Sequence, residues 1–460
     1  MSRLGLEAAR ETMVAAGVNP IAISVFERFY RQLEAEVTGF IPESTIEPMA
    51  EVARLDDLSA SAEELRQALA RTVVLKLNGG LGTSMGITGP KSVLSVRDGL
   101  TFLDITARQI LDLRTRYGVD IPLLLMNSFR TRAESLQVLE RYPTLAVGDL
   151  PVDFVQSQEP KLRAEDLTPV SWPADPELEW CPPGHGDVYT SLKTSGLLDA
   201  LRDKGFRYLF LSNSDNLGAT CDPAIPAWMA ANEIPYVAEV CERTLNDRKG
   251  GHLATRKADG RLILRDSAMV VPGEQDFFQD TERHRLFHAN NLWVDLDVLD
   301  AALTAGEGVL GLPIIVNRKT VDPTDPQSTP VIQIESAMGA AIEVFEGSRA
   351  LQVPRSRFRP VKSTNELLLI RSDIYRLDSA WQVQTTIDHD EPFVNLGRTY
   401  GFVDGFEERF PHGVPSMREC TRLEVAADVT FGAEVRCVGA VSIHGEARAI
   451  PDGAVLSGDY

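Results

Sequence analysis

From residue 72 onward, short apolar runs of strand length alternate with stretches of helical period. No other feature limits the fold of this chain so much. Residues 72–77, 121–126, 152–155, 207–211 and 236–240 are rich in Val, Ile, Leu and aromatics, as strands buried on both faces are. Helix-period stretches lie between them at 102–115, 129–141 and 189–203. Such alternation builds a mainly parallel sheet covered on both sides by helices. Ligands of these sheets bind outside the carboxyl ends of the strands. The expectation is an α/β body with its polar functional residues gathered at that edge.

Two different patterns flank this body. Residues 2–70 read as helical: Leu4, Leu6, Ala9 and Met13, then Ile23, Phe26, Phe29 and Tyr30, recur mostly at three and four spacing. Pro20 suits a helix start, and Ser61-x-x-Glu64 has the form of a capping box. In the last forty residues the spacing changes to six. Val429, Val435 and Val441 form one series; Phe431, Cys437 and Ile443 form another, with Val455 two periods further on. Six-residue spacing with scattered Gly is the mark of a small parallel β-helix, an antiparallel meander being the alternative. So short a solenoid must pack on its neighbour or on another subunit. The expected division is a helical segment 1–70, an α/β catalytic domain 71–400 and a tail 401–460.

The chain of 460 residues is acidic, with 46 Lys+Arg against 66 Asp+Glu and a formal charge of −20. A protein that coats nucleic acid or an anionic membrane needs a broad basic face, so neither partner is expected. Apolar runs stay short of the ~20 residues that span a bilayer. Arg3, Glu7, Arg10 and Glu11 interrupt any signal-peptide layout. Five cysteines, at 181, 221, 241, 420 and 437, form no CxxC and suit reduced, buried thiols in a cytoplasmic protein.

The strongest local motif is Leu77-Asn78-Gly79-Gly80-Leu81-Gly82-Thr83-Ser84-Met85-Gly86, followed by Gly89-Pro90-Lys91-Ser92. Clustered glycines let backbone amides approach a phosphate or a flat base. The segment is not a dinucleotide fingerprint, since Gly80-x-Gly82 meets its next glycine one residue late. Nor is it a Walker A loop, since Pro90 precedes Lys91-Ser92. The latter disfavours a sugar-phosphate kinase.

The segment instead resembles the nucleotide-binding stretch of the eukaryotic-type UTP–glucose-1-phosphate uridylyltransferase family. The likeness continues through Asn127-Ser128-Phe129, Pro182-Pro183-Gly184-His185-Gly186-Asp187, Asn213-Ser214-Asp215-Asn216-Leu217-Gly218, Asn290-Asn291-Leu292-Trp293 and Val353-Pro354-Arg355-Ser356-Arg357-Phe358-Arg359-Pro360-Val361-Lys362. It departs at Ile87-Thr88, where the family commonly has Cys-Lys, and at Arg130, where it usually has Asn.

The resemblance implies a Rossmann-like, GT-A-like nucleotidyltransferase with a mainly parallel mixed sheet and flanking helices, ending in a left-handed parallel β-helix. It implies transfer of uridylyl from UTP to glucose 1-phosphate, giving UDP-glucose and pyrophosphate, with Mg²⁺ as cofactor. By the same resemblance Leu77, Asn78, Gly79, Gly80, Gln156 and Gly184 hold the uridine. Asp215 holds the metal, Lys362 reaches the α-phosphate and Lys91 the triphosphate tail. His185, Asn213, Asn290 and Glu335 contact the sugar phosphate. The residues alone leave other readings open: a surface glutamine, a helix N-cap at Asp215, a solvated loop histidine, a helix-start acid at Glu335. The basic run Arg349, Arg355, Arg357, Arg359 and Lys362, free of acids, reads as a groove for a triphosphate. Another sugar 1-phosphate (galactose or N-acetylhexosamine) or a non-catalytic nucleotide-binding scaffold are the rival functions. Family members include monomers and end-to-end assemblies, so self-association through the tail is a further expectation.

Overall fold

The structure is a computed structural model, and it describes residues 2–50, 52–243, 247 and 250–460. Its centre is an eight-stranded sheet. In chain order its strands are β1 (Ala53–Arg54), β2 (Thr72–Asn78), β3 (Leu123–Asn127), β4 (Asp153–Val155), β5 (Tyr208–Asn213), β6 (Tyr236–Glu242), β7 (Leu286–Asp295) and β8 (Arg349–Gln352). In space they run β1-β8-β6-β7-β5-β2-β3-β4. All are mutually parallel except β7, which lies antiparallel between β5 and β6. The mixed α/β sheet is as expected. The two-residue β1 is too short to leave a periodic signal, and β8 carries only four residues.

Alternate residues of β2 enter different cores. Val73 and Leu75 join a cluster with Leu209, Leu211 and Tyr189, while Val74 joins Leu103, Ile110 and Phe210 on the other face. Burial on both faces explains why these strands read as continuous apolar runs. Among the covering helices, α1 is Phe102–Tyr117, with a Thr101/Asp104 capping box and Gly118 in the left-handed conformation at its end. The stretch read as one helix over 189–203 is two, Asp187–Thr194 and Leu197–Asp203, broken at Gly196.

The first seventy residues are not helical throughout. Helices Ser2–Ala15, Pro20–Glu34 and Ala62–Leu69 are present, and the last has the Ser61/Glu64 capping box. Between them, however, Ile46–Pro48 pairs with His252–Arg256, and β1 adds to the main sheet. The first two helices bury Phe26 and Tyr30 against Leu162, Ile332 and Ile334 of a small antiparallel sheet.

At the other end, β9 (Phe393–Leu396), β10 (Ser416–Val425), β11 (Val429–Phe431), β12 (Arg436–Ile443), β13 (Arg448–Ile450) and β14 (Val455–Asp459) pair only in parallel, in two sheets. Phe431, Cys437, Val441 and Ile443 are buried as the six-residue spacing requires. Val455 falls outside the series: it is 49% exposed, and Leu456 takes the inward place. Tail residues share one core with Met85, Val96 and Phe102 of the body.

Candidate functional site

The polar motifs converge at the carboxyl ends of β2, β3, β4 and β5. Leu77 and Asn213 are register partners there, and Ser214 N donates to Leu77 O at 3.1 Å. The side chain of buried Asn78 does not face a ligand: its Nδ2 donates to Asn127 Oδ1 and Ser135 Oγ, both at 2.7 Å. Asn127 in turn bonds Asp153. These bonds tie three strands together, leaving the backbone of Gly79 and Gly80 as the candidate ligand contact of this turn. A Cβ on Gly79 would lie 2.8 Å from Gln156 Nε2, whereas one on Gly80 would meet nothing within 4 Å. Glycine at 79 therefore lets the chain pass flat against the Gln156 amide, while the Gly80 face stays open. The two predicted uridine contacts meet.

A second wall comes from the loop at 182–186. Gly184 has φ +79°, and a Cβ there would sit 2.6 Å from Ser336 O and 3.0 Å from Glu335 Cβ. Met338 N donates to His185 Nδ1 at 3.0 Å. The neutral imidazole therefore carries its proton on Nε2. Burial lowers the pKa of His185 below the ordinary histidine value, which keeps that tautomer neutral. Glu335 closes the strand Pro330–Glu335 rather than opening a helix. Its carboxylate lies 3.7 Å from Lys319, and at a strand end it has no helix dipole to serve.

Asp215 follows β5 and accepts from Lys91 Nζ at 2.7 Å; the two side chains are 18% and 16% exposed. Asn290 Nδ2 donates to Asn213 Oδ1 at 3.2 Å. Asn290 lies inside β7, where the register with β6 slips between Ala238 and Val240. Its φ is +56°. The irregularity turns its side chain to the site, as β-bulges beside active sites do.

The basic run 347–362 proves to be mostly structural. Arg357 is buried on Glu239 at 2.5 and 2.8 Å. Arg355 pairs with Asp247 at 2.6 Å, and Arg359 pairs with Glu391 at 3.3 Å and stacks on Tyr375. The triphosphate groove of five basic groups is thus corrected: a run of charges in sequence does not reveal which acids fold against it. Among the described residues, Arg349 and Lys362 have no ion pair. Lys362 is exposed, its ammonium 5.9 Å from the Phe358 ring. Its segment is held to the Asp215 loop by the Asn216–Pro360 bridge and by Val361 N on Asp215 O.

Beneath the site lies a buried polar network that the motifs did not single out. Lys76 Nζ donates to Ser212 Oγ and Ala219 O, each at 2.8 Å, and burial lowers its pKa to about 7. Glu239 accepts from Arg357, Trp293 Nε1 and Asn291 Nδ2. A lysine inside the apolar run 72–77 was the available signal.

Cavities of ≈ 420 and ≈ 530 Å³ flank Met49, Ala50 and Val52, and neither is lined by the predicted site residues. Convergent polar groups, not cavity volume, make the strand ends the candidate site. One partly exposed carboxylate at a strand end is the donor set that Mg²⁺ uses when substrate phosphates and water complete its shell. Asp215 fits that description. Among the described residues, no group of three or more His, Cys, Asp or Glu forms a self-sufficient metal cage.

Comparison with known proteins gives this site a context. Residues 23–437 match the family model of UTP--glucose-1-phosphate uridylyltransferase. The chain belongs to that family. The uridylyltransferase of Solanum tuberosum is 42% identical over 411 residues, covering 88% of this chain and 84% of that protein. The Dictyostelium discoideum UTP--glucose-1-phosphate uridylyltransferase 2 is 39% identical over 420 residues, covering 88% and 80%. Among solved structures, a mutant of the UDP-glucose pyrophosphorylase of Leishmania major in complex with UDP-glucose superposes with TM-score 0.91 at 41% identity, over 98% of each chain. A Trypanosoma brucei structure gives 0.90 at 42%, over 99% of each.

Proposed function

We propose a division of labour among these residues for the reaction that UTP--glucose-1-phosphate uridylyltransferases carry out, in which UTP and glucose 1-phosphate give UDP-glucose and pyrophosphate. Uracil packs on the open Gly80 face of the Gly79–Gly80 backbone beside the Gln156 amide, whose carbonyl and NH₂ suit a pyrimidine edge. Leu77, Asn78 and Gly184 complete this pocket through backbone. Lys91 and Lys362 hold the phosphates. His185 offers Nε2–H, and Asn213, Asn290 and Glu335 offer amide and carboxylate groups, to the sugar phosphate.

An oxygen of the sugar phosphate forms the new bond to the α-phosphorus while the bond to the bridging oxygen of pyrophosphate breaks. The nucleophile is already ionised at neutral pH, so no general base is needed. The protein's task is to bring two polyanions together and to stabilise the charge on the transferring group. Lys362 is placed for this because its charge is uncommitted. Mg²⁺ held by Asp215 would further neutralise phosphate charge.

We also infer a division into a partly helical segment 1–70, a GT-A-like catalytic domain 71–400 and a tail 401–460, to which β9 of the preceding domain adds a parallel strand. The all-parallel pairing of β9 to β14 supports a left-handed β-helix. Its last strand, β14, leaves an edge through which copies can associate. Five free, buried cysteines support a cytoplasmic location, and among the described residues no helix is long and apolar enough to cross a membrane.

The observation that carries the functional reading is Gly79 lying flat on the Gln156 amide at the strand ends. The experiment is pyrophosphate release from UTP with and without Mg²⁺, using a panel of sugar 1-phosphates. Glucose 1-phosphate is expected to be the best acceptor, and only with Mg²⁺. Preference for galactose or N-acetylhexosamine 1-phosphate would reassign the sugar, and no release with any sugar would leave a scaffold.

A further inference from the structure

Lys362 is exposed and pairs with no acid among the described residues, its ammonium lying 5.9 Å from the Phe358 ring. Nothing at its own ammonium sets its place; the backbone of 356–362 does. That backbone is gripped by Asn216, a side chain 3% exposed. Asn216 Oδ1 accepts from Arg359 N at 2.8 Å and from Gly218 N at 3.1 Å. Its Nδ2 donates to Arg357 O at 3.1 Å and Asn291 Oδ1 at 3.4 Å. An amide has two donors and two acceptor sites, and all four are used here.

The grip is braced from below. Asn291 Nδ2 bridges Glu239 Oε2 and Arg357 O, and the Arg357 guanidinium spans Glu239 and Thr220 O. At the near end, Gly218 lets the two segments touch, since a Cβ there would lie 2.3 Å from Ser356 O.

We propose that Asn216 is a positioning residue for Lys362. Its side-chain amide, braced by the Glu239–Arg357 pair, fixes the register between the loop that carries Asp215 and the segment that carries Lys362. The proposal rests on the reading of Lys362 as the group that stabilises the transferring phosphate. A buried amide with every bond made has one geometry, so the segment's backbone does too. Lys362 lies three residues beyond Arg359, the last residue held by the amide. A shift of about 1 Å at a charge that acts on the transition state is enough to cost ~100-fold in rate.

The test is a double-mutant cycle on the full chain. Asn216→Ala is expected to lower kcat by at least about 30-fold with KM for UTP within about threefold, and in a Lys362→Ala background by no more than about threefold. A merely structural loss would multiply with that of Lys362→Ala, and multiplication overturns the proposal. So does an unchanged kcat in Asn216→Ala. If Lys362→Ala itself keeps wild-type kcat, the reading of Lys362 fails first, and that result is distinct. Should Asn216→Ala not fold, Gly218→Ala, which displaces the segment at Ser356 and Arg357, must show the same non-additivity.

Discussion

Gly79 has no room for a methyl group without moving Gln156, because a Cβ there would come within 3.0 Å of three atoms of its amide. Gly79→Ala should therefore raise KM for UTP about tenfold with a smaller change in kcat, the signature of lost ground-state binding; steady-state kinetics will show it. His252 makes a different kind of prediction. It is fully buried, neither ring nitrogen has a partner among the described residues, and it stacks on His284 at 3.9 Å. Burial, His284, Arg243 and Arg265 all push its pKa well down. The folded chain keeps it neutral while the unfolded chain takes up a proton near pH ~6.5, so stability falls as pH drops below that value. Urea unfolding of His252→Phe should lose less stability than wild type between about pH 7.5 and about pH 5.5; equal losses would assign the acid sensitivity elsewhere. At this scale much of the site was legible. Gly79, Lys91 and Asp215 stand in motifs whose order carries meaning and Gln156 follows from the family resemblance, and the fold brings Gly79 against Gln156 and Lys91 against Asp215. Arg355, Arg357 and Arg359 were not legible, because Asp247, Glu239 and Glu391 lie far from them along the chain.

Elements were readable where burial imposes a period. The runs at 72–77 and 207–211 became β2 and β5, since strands covered on both faces must be apolar throughout. The break at Gly196, the two-residue β1 and the irregularity holding Asn290 carry no period, and each depends on a partner elsewhere in the fold. In the tail the six-residue spacing foretold inward residues up to Ile443 and failed at Val455 on β14, the edge strand of its sheet, where Leu456 turns inward instead. That exposed edge gives an element-scale prediction. Val455→Lys should abolish concentration-dependent association measured by light scattering and leave kcat unchanged. An oligomer that survives the substitution would place the interface elsewhere.

Taken as a whole, the molecule is strongly acidic, at −20, yet binds two polyanions on the present account. Its sheet gathers strand ends, loop and basic segment at one edge, and Arg355, Arg357 and Arg359 are spent on internal acids. The functional positive charge is correspondingly small: Lys91, which shares Asp215, and Lys362, which is paired with no acid among the described residues. The direct test is the kinetics of Lys362→Ala with UTP, glucose 1-phosphate and Mg²⁺. A fall in kcat of at least about 100-fold, with KM for UTP changed no more than a few fold, is predicted for a charge that acts mainly in the transition state. A variant that turns over at the wild-type rate under saturating substrates would contradict it.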